Sequence, residues 1–159
     1  MKSWKVILLV FISVTCVSCF RIEQYSPIPK IEFIEFTLKD TLDGLQNRVL
    51  NGTLQFAFVD GDGDIGFDTI QPQKNTIFLE KYRFVAGVLT PVELILPLNY
   101  YVPKFTPVGN DKTLKGEIIV NDLNENYPFN GDTILYKFYI VDRAGNVSNV
   151  ESTGNMIIY

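Results

Sequence analysis

Four aspartates and three glycines crowd into the segment Asp60–Asp68, which reads DGDGDIGFD. Ca²⁺ takes roughly six to eight oxygen ligands in adaptable geometry, so a flexible loop that carries carboxylates suits it. Three carboxylates within five residues also repel one another unless a cation or backbone amides compensate. The spacing therefore predicts a Ca²⁺ site made of Asp60, Asp62, Asp64 and Asp68.

A structural loop is the alternative interpretation of the same segment, because Asp and Gly are also the preferred residues of tight turns. In that case Gly61, Gly63 and Gly66 supply positive φ, and the carboxylates cap backbone amides or stay solvated. The EF-hand motif does not fit. Counted from the first aspartate, its glycine position holds Ile65 and its final glutamate position holds Gln71.

A second polar turn, Asp142–Asn149, reads DRAGNVSN. If this turn lies beside the first loop, Asp142 and Asn146 would add oxygen ligands to the metal site. The structural alternative is that Gly145 and Asn146 form a tight turn to which Asp142 and Ser148 donate or accept hydrogen bonds.

Aromatic side chains at Tyr100, Tyr101, Phe105 and Tyr127 fall in loop-like segments that contain proline. Such rings could stack on the face of a sugar. Packing in or around the core is the alternative, because the chain is rich in aromatic residues, with 12 Phe and 8 Tyr.

The N-terminus has the pattern of an export signal. Lys2 and Lys5 precede an uncharged apolar run over residues 6–17, which is too short to span a bilayer as a helix. A small residue then directly precedes Cys19, in an arrangement that resembles the processing site of bacterial lipoproteins. We expect residues 1–18 to be removed and Cys19 to be acylated, which anchors the protein to a membrane. A plain signal peptide is the alternative.

Composition limits the chemistry of the chain. Loss of the two N-terminal lysines from 14 basic residues leaves 12, against 18 acidic residues, a net charge of −6. This balance argues against nucleic acid as a partner. The chain has no histidine, and acylation of Cys19 would leave no free thiol after processing. Histidine-based triads, thiolate nucleophiles and most zinc sites are therefore excluded.

Short alternating segments predict an all-β fold with no sustained helical period. Ala86-Gly87 separates two of these segments and predicts a hairpin, in which Pro91 requires an edge or a bulge. The length fits seven or eight antiparallel strands in one immunoglobulin-like β-sandwich. The predicted organisation is a signal segment over residues 1–18, a lipidated cysteine and tether over 19–29, and the domain over 30–159. The predicted strands are 30–38, 49–59, 76–85, 88–96, 98–103, 114–121, 133–141 and 154–159, with at most one helical turn in 40–48.

DGDGDIG after an FxFxD strand, together with DRAGNVSN, resembles lipoproteins of Bacteroidetes bacteria whose activity is not known. The DxAGN turn is also similar to the last hairpin of many bacterial immunoglobulin-like surface domains. The resemblance implies an immunoglobulin-like sandwich and a place in the cell envelope. It carries over no activity and no binding residues.

These observations predict a non-catalytic binding or accessory module, anchored by lipid to the outer membrane on its periplasmic or surface face. The expected partner is an envelope protein or a glycan. A purely structural envelope component and a Ca²⁺-stabilised glycan-binding domain are the alternatives. An enzyme is not expected, since the remaining option, a glycosidase, needs two carboxylates about 5–9.5 Å apart in a cleft.

Overall fold

The computed structural model describes residues 24–69, 74–105, 112–126 and 133–157. Within these ranges the chain forms nine β-strands and no helix, so the predicted all-β class is confirmed. Among the same residues, none forms a helix long and apolar enough to span a bilayer. The strands are β1 (Lys30–Leu42), β2 (Arg48–Asp60), β3 (Ile77–Val85), β4 (Val88–Pro91), β5 (Leu98–Tyr100), β6 (Leu114–Asn126), β7 (Thr133–Ile140), β8 (Glu151–Ser152) and β9 (Met156–Ile157).

The strands form two antiparallel sheets. The first has three strands in the order β1-β2-β6, and the second has six. In the second sheet the central pair is β3 and β7. The other edge of β3 pairs with β4 along one part of its length and with β5 along another. The other edge of β7 pairs in the same way with β8 and β9. The described strands thus make the antiparallel β-sandwich that the sequence predicts.

The core lies between the two sheets, where alternate residues of each strand point inward. Leu54 and Phe56 of β2 are fully buried, as is Phe138 of β7. The rings of Phe56 and Phe138 lie 5.0 Å apart, and those of Phe36 and Tyr136 lie 5.5 Å apart. Aromatic contacts between the sheets therefore close the sandwich, in line with the predicted inward faces of β2 and β7.

The predicted hairpin around Ala86-Gly87 is confirmed. Both residues have positive φ, 51° at Ala86 and 81° at Gly87. This is the geometry of a type I′ turn, whose twist matches that of the two strands it joins. Pro91 ends β4 at the edge of the sheet, where its missing N–H leaves no ladder bond unmade.

Several predicted strand ends are wrong. The first strand does not end at residue 38, because β1 continues to Leu42 and pairs there with the start of β2. The segment 40–48 therefore contains no helical turn. A turn follows, in which Asp43 Oδ1 accepts the N–H groups of Leu45 and Asn47 at 2.8 Å. The predicted strand 88–96 stops at Pro91, and the following residues leave the sheet before β5.

A charged group lies inside the sandwich. Glu125 of β6 is 2% exposed, and its carboxylate pairs with the buried ammonium of Lys81. Arg83 Nη2 lies 3.0 Å from Glu125 Oε2, and the Tyr136 hydroxyl donates to Oε1 at 2.8 Å. Burial and the neighbouring Glu125 carboxylate raise the pKa of Tyr136. Four side chains from β3, β6 and β7 thus share one buried ionic network.

Candidate functional sites

Three carboxylates meet at one end of the sandwich. Asp60 is the last residue of β2, Asp64 lies in the following loop, and Asp142 follows β7. One oxygen of each lies within 4.8 Å of the other two. Asp60 and Asp142 are fully buried, and Asp64 is partly buried. We name these three residues the carboxylate cluster.

Each carboxylate of the cluster also orders the local backbone. Asp60 Oδ2 accepts the N–H of Asp64 at 2.8 Å, and Asp64 Oδ2 accepts the N–H of Ala144 at 3.0 Å. Asp142 accepts the main-chain N–H of Asn146 at 2.7 Å and its side-chain Nδ2 at 2.8 Å. The backbone-capping role considered for both motifs is therefore present.

These hydrogen bonds leave two carboxylate oxygens without a partner. Asp60 Oδ1 and Asp64 Oδ1 are both buried and accept no hydrogen bond. Arg143 adjoins the cluster, but its guanidinium donates to backbone carbonyls, at 2.9 Å to Gly66 and 3.2 Å to Ile65. Among the described side chains, no lysine or arginine forms an ion pair with the cluster.

The pKa values of the cluster show the cost of this arrangement. Burial, together with the charges of Asp62 and Asp64, raises the pKa of Asp60 to about 6 against the opposing hydrogen bond from the Asp64 N–H. Burial also raises the pKa of Asp64, and the negative charges of Asp142 and Asp62 raise it further. The ionised cluster is therefore held together against both desolvation and mutual repulsion.

The structure divides the four aspartates of the predicted metal site. Asp60 and Asp64 lie in the cluster, and the exposed Asp62 stands beside Asp60. Asp68 lies outside it, exposed and 3.2 Å from the ammonium of Lys104. Asp142 of the second motif joins the cluster, as expected if the two turns are neighbours.

The glycines of the loop have different roles. Gly63 and Gly66 have positive φ, 68° and 81°, as predicted. The prediction of positive φ at Gly61 is wrong, because that residue is needed for a close approach of backbone instead. A Cβ at Gly61 would lie 2.3 Å from the carbonyl oxygen of Tyr25 and 2.6 Å from that of Ser26.

The loop that follows β2 also supports a neighbouring segment. The N–H of Phe67 donates to the Val102 carbonyl at 3.0 Å, and the Tyr101 hydroxyl donates to the Phe67 carbonyl at 2.8 Å. A Cβ at Gly66 would lie 2.4 Å from the Pro103 carbonyl oxygen, so only glycine permits this approach. The position of the loop thus sets the position of residues 101–103.

A cavity of about 690 Å³ lies between those residues and β6. We name it the aromatic cleft. It opens at the edge of the three-stranded sheet, where β6 pairs only with β2 among the described strands. Phe105 is 51% exposed at its wall. The lining residues that carry aromatic rings or polar side chains are Phe58, Tyr100, Tyr101, Phe105, Lys115, Glu117, Asn121 and Asp122.

Polar groups line the same cleft. Burial and a hydrogen bond to the Asp122 carboxylate raise the pKa of Tyr100. This hydrogen bond connects the two walls of the cleft, because Tyr100 belongs to β5 and Asp122 to β6. Glu117 accepts a hydrogen bond from Gln55 Nε2 at 2.7 Å. The cleft therefore combines aromatic faces with a few carboxylate and amide groups, the usual composition of a small-ligand site.

Fold and sites together define an antiparallel β-sandwich with a buried carboxylate cluster beside an aromatic cleft. Comparison of the chain with protein-family models, with curated proteins and with solved structures gives no significant match. The predicted signal segment, the lipidation residue Cys19 and the aromatic residue Tyr127 lie outside the described residues. Sequence reasoning named Tyr100, Tyr101 and Phe105, and the structure brings these three to one cavity.

Proposed function

We propose that this chain is a lipid-anchored, non-catalytic binding module of the cell envelope, and that its aromatic cleft binds carbohydrate. The observation that carries the proposal is the cavity of about 690 Å³ beside Tyr100, Tyr101 and Phe105. Its volume falls in the range of roughly 300–1,000 Å³ typical of ligand sites.

The chemistry of the lining favours a neutral sugar. The apolar face of a sugar ring packs on aromatic side chains, while its hydroxyl groups need hydrogen-bond acceptors. Asp122 and Glu117 supply carboxylate oxygens at the cleft, and Asn121 supplies an amide. Among the described lining residues Lys115 is the one cation, so carboxylates outnumber it two to one. This excess, in a chain with net charge −6 after processing, disfavours a phosphate-bearing or otherwise anionic ligand.

Two features support a binding role rather than hydrolysis. Hydrolysis of a glycoside needs a pair of carboxyl groups, and in the cleft that pair would have to be Glu117 and Asp122. Each is already engaged, Glu117 by Gln55 and Asp122 by Tyr100. We expect a bound oligosaccharide to be recovered intact by chromatography after prolonged incubation, and the appearance of shorter products would contradict the non-catalytic assignment.

The test of the proposal is calorimetric titration of the full chain in detergent with neutral oligosaccharides of a few sugar units. Phe105→Ala removes an exposed ring from the cleft wall, so the fold should tolerate it and affinity should fall about tenfold, or about 1.4 kcal/mol.

Tyr82→Ala is the matched control, because Tyr82 is an aromatic residue of β3 that lies outside the cleft. Its hydroxyl donates a hydrogen bond to the Glu80 carboxylate. The Tyr82→Ala change should leave the affinity unchanged. Absence of binding across the oligosaccharides would overturn the proposal, as would equal losses in the two variants. The first result would favour a purely structural envelope component.

A further inference from the structure

We infer that the carboxylate cluster of Asp60, Asp64 and Asp142 is a divalent-cation site that prefers Ca²⁺. The ion would fasten the end of β2 and its loop to the turn that follows β7. This inference goes beyond carbohydrate binding and stands without it, because the carboxylate cluster shares no residue with the lining of the aromatic cleft.

The first observation is convergence. The three carboxylates come from two segments that are far apart in sequence, and one oxygen of each lies within 4.8 Å of the others. Chain proximity alone does not produce this arrangement, since Asp142 reaches the site only through the turn after β7.

The second observation is the pair of unused oxygens. Asp60 is fully buried and its Oδ1 accepts no hydrogen bond, and Asp64 Oδ1 is also buried without a partner. A buried carboxylate oxygen that lacks a partner is unfavourable, because it has lost its water and gained nothing. In both residues the other oxygen is held by a backbone N–H, so one oxygen remains for a cation.

Local charge points to the same ligand. The only arginine in the turn, Arg143, gives its guanidinium to carbonyls of Ile65 and Gly66 and does not form an ion pair with the cluster. Arg143 therefore braces the loop around the site. Its charge lowers the pKa of Asp64, but burial and the charges of Asp142 and Asp62 outweigh this effect. A bound divalent cation would compensate two of the three negative charges.

The donors select the type of ion. Oxygen-only ligands suit hard cations, and the absence of histidine disfavours zinc. Ca²⁺ accepts roughly six to eight oxygens in adaptable geometry, whereas Mg²⁺ demands a nearly ideal octahedron and gives up its water reluctantly. Three carboxylates held by backbone hydrogen bonds, with oxygens within 4.8 Å of one another, therefore suit Ca²⁺ better. Asp62, beside Asp60, and water can complete the shell.

The experiment compares the full chain in detergent, freed of metal by chelation, with the same protein in Ca²⁺. With a dissociation constant of about 0.1 mM, about 5 mM Ca²⁺ shifts the folding equilibrium roughly 50-fold. We expect the melting temperature to rise by roughly 5–10 °C, with saturable heat in a calorimetric titration. Mg²⁺ at the same concentration should give a smaller rise.

Asp64→Asn and Asp68→Asn form a matched pair, because they make the same change in the same loop and only Asp64 belongs to the cluster. In Asp64→Asn the amide oxygen of the new side chain can still accept the Ala144 N–H, so the fold is kept. Asp64→Asn should raise the melting temperature in chelator, by relief of repulsion, and lower Ca²⁺ affinity at least tenfold. Asp68→Asn should keep the full response.

Three results would overturn the inference. The wild-type chain could show neither a thermal shift nor binding heat at this Ca²⁺ concentration. Asp64→Asn could keep the response, or Asp68→Asn could lose it to the same extent. A larger response to Mg²⁺ than to Ca²⁺ would overturn the choice of ion. None of these outcomes depends on the carbohydrate site.

Discussion

Replacement of Glu125 by Leu should be among the most destabilising changes in this domain. The substitution leaves the ammonium of Lys81, a residue that is 8% exposed, without its counterion. It also removes the acceptor of the buried Tyr136 hydroxyl. Breaking one partner of a buried pair costs roughly 3–5 kcal/mol, and an orphaned hydroxyl about 1 kcal/mol more. Arg83 contributes little to this cost, because its side chain is 37% exposed and can turn to water.

The expected loss is roughly 4–6 kcal/mol, which lowers the melting temperature by roughly 12–20 °C. Circular dichroism melts and urea unfolding both measure it. The double variant Lys81→Met with Glu125→Leu should recover most of the loss, because it leaves neither charge buried. Asp40→Asn breaks an exposed pair with Arg48 and should change stability by less than about 1 kcal/mol.

A Glu125→Leu variant whose stability lies within about 1 kcal/mol of wild type would contradict this prediction. A double variant no more stable than Glu125→Leu alone would contradict it as well. Either result would mean that Lys81 and Glu125 do not share a desolvated environment.

Two further predictions concern the hairpin turn and the anchor. Ala86→Gly should raise the free energy of unfolding by about 1 kcal/mol, because Ala86 has φ of 51° and an L side chain resists that conformation; urea unfolding measures it, and a destabilised variant would contradict the turn geometry. Cys19→Ala should release the protein from the membrane fraction and abolish incorporation of radiolabelled palmitate. Cys16, the other cysteine of the chain, lies within the expected signal segment, so Cys16→Ala should change neither. Persistent labelling of Cys19→Ala would refute the assignment of the lipidated residue.

Local pattern was sufficient for most of the fold. Alternation places Leu54 and Phe56 on one inward face, and the dipeptide Ala86-Gly87 marks the hairpin, so both follow from the sequence. The end of β6 does not follow in this way. Residues 122–126 are mostly polar, yet the strand continues through them, because an irregularity in the pairing between Gly52 and Leu54 of β2 lets the ladder resume.

The candidate metal site was predictable only in part. The spacing alone predicts that all four aspartates of the loop are metal ligands, namely Asp60, Asp62, Asp64 and Asp68. The path of the loop separates them, because Ile65 enters the core and leaves Asp68 beyond it, beside Lys104. The approach of Asp142 depends on which strand ends meet, a long-range property that motif spacing does not contain.

The buried ionic network was not predictable. A lysine and an arginine in one strand and a glutamate in another look like ordinary surface residues in the sequence. Only the packing of the two sheets and the continuation of β6 bring Glu125 to Lys81 and Arg83.

The most direct test of the carbohydrate-binding claim is chemical-shift mapping of the isotope-labelled full chain during titration with the oligosaccharide that binds best by calorimetry. The account predicts saturable shifts confined to β6 and to residues 100–105, with Tyr101 and Phe105 among the largest. Shifts centred on the outer face of β3, or no shifts at concentrations that saturate the calorimetric signal, would contradict it.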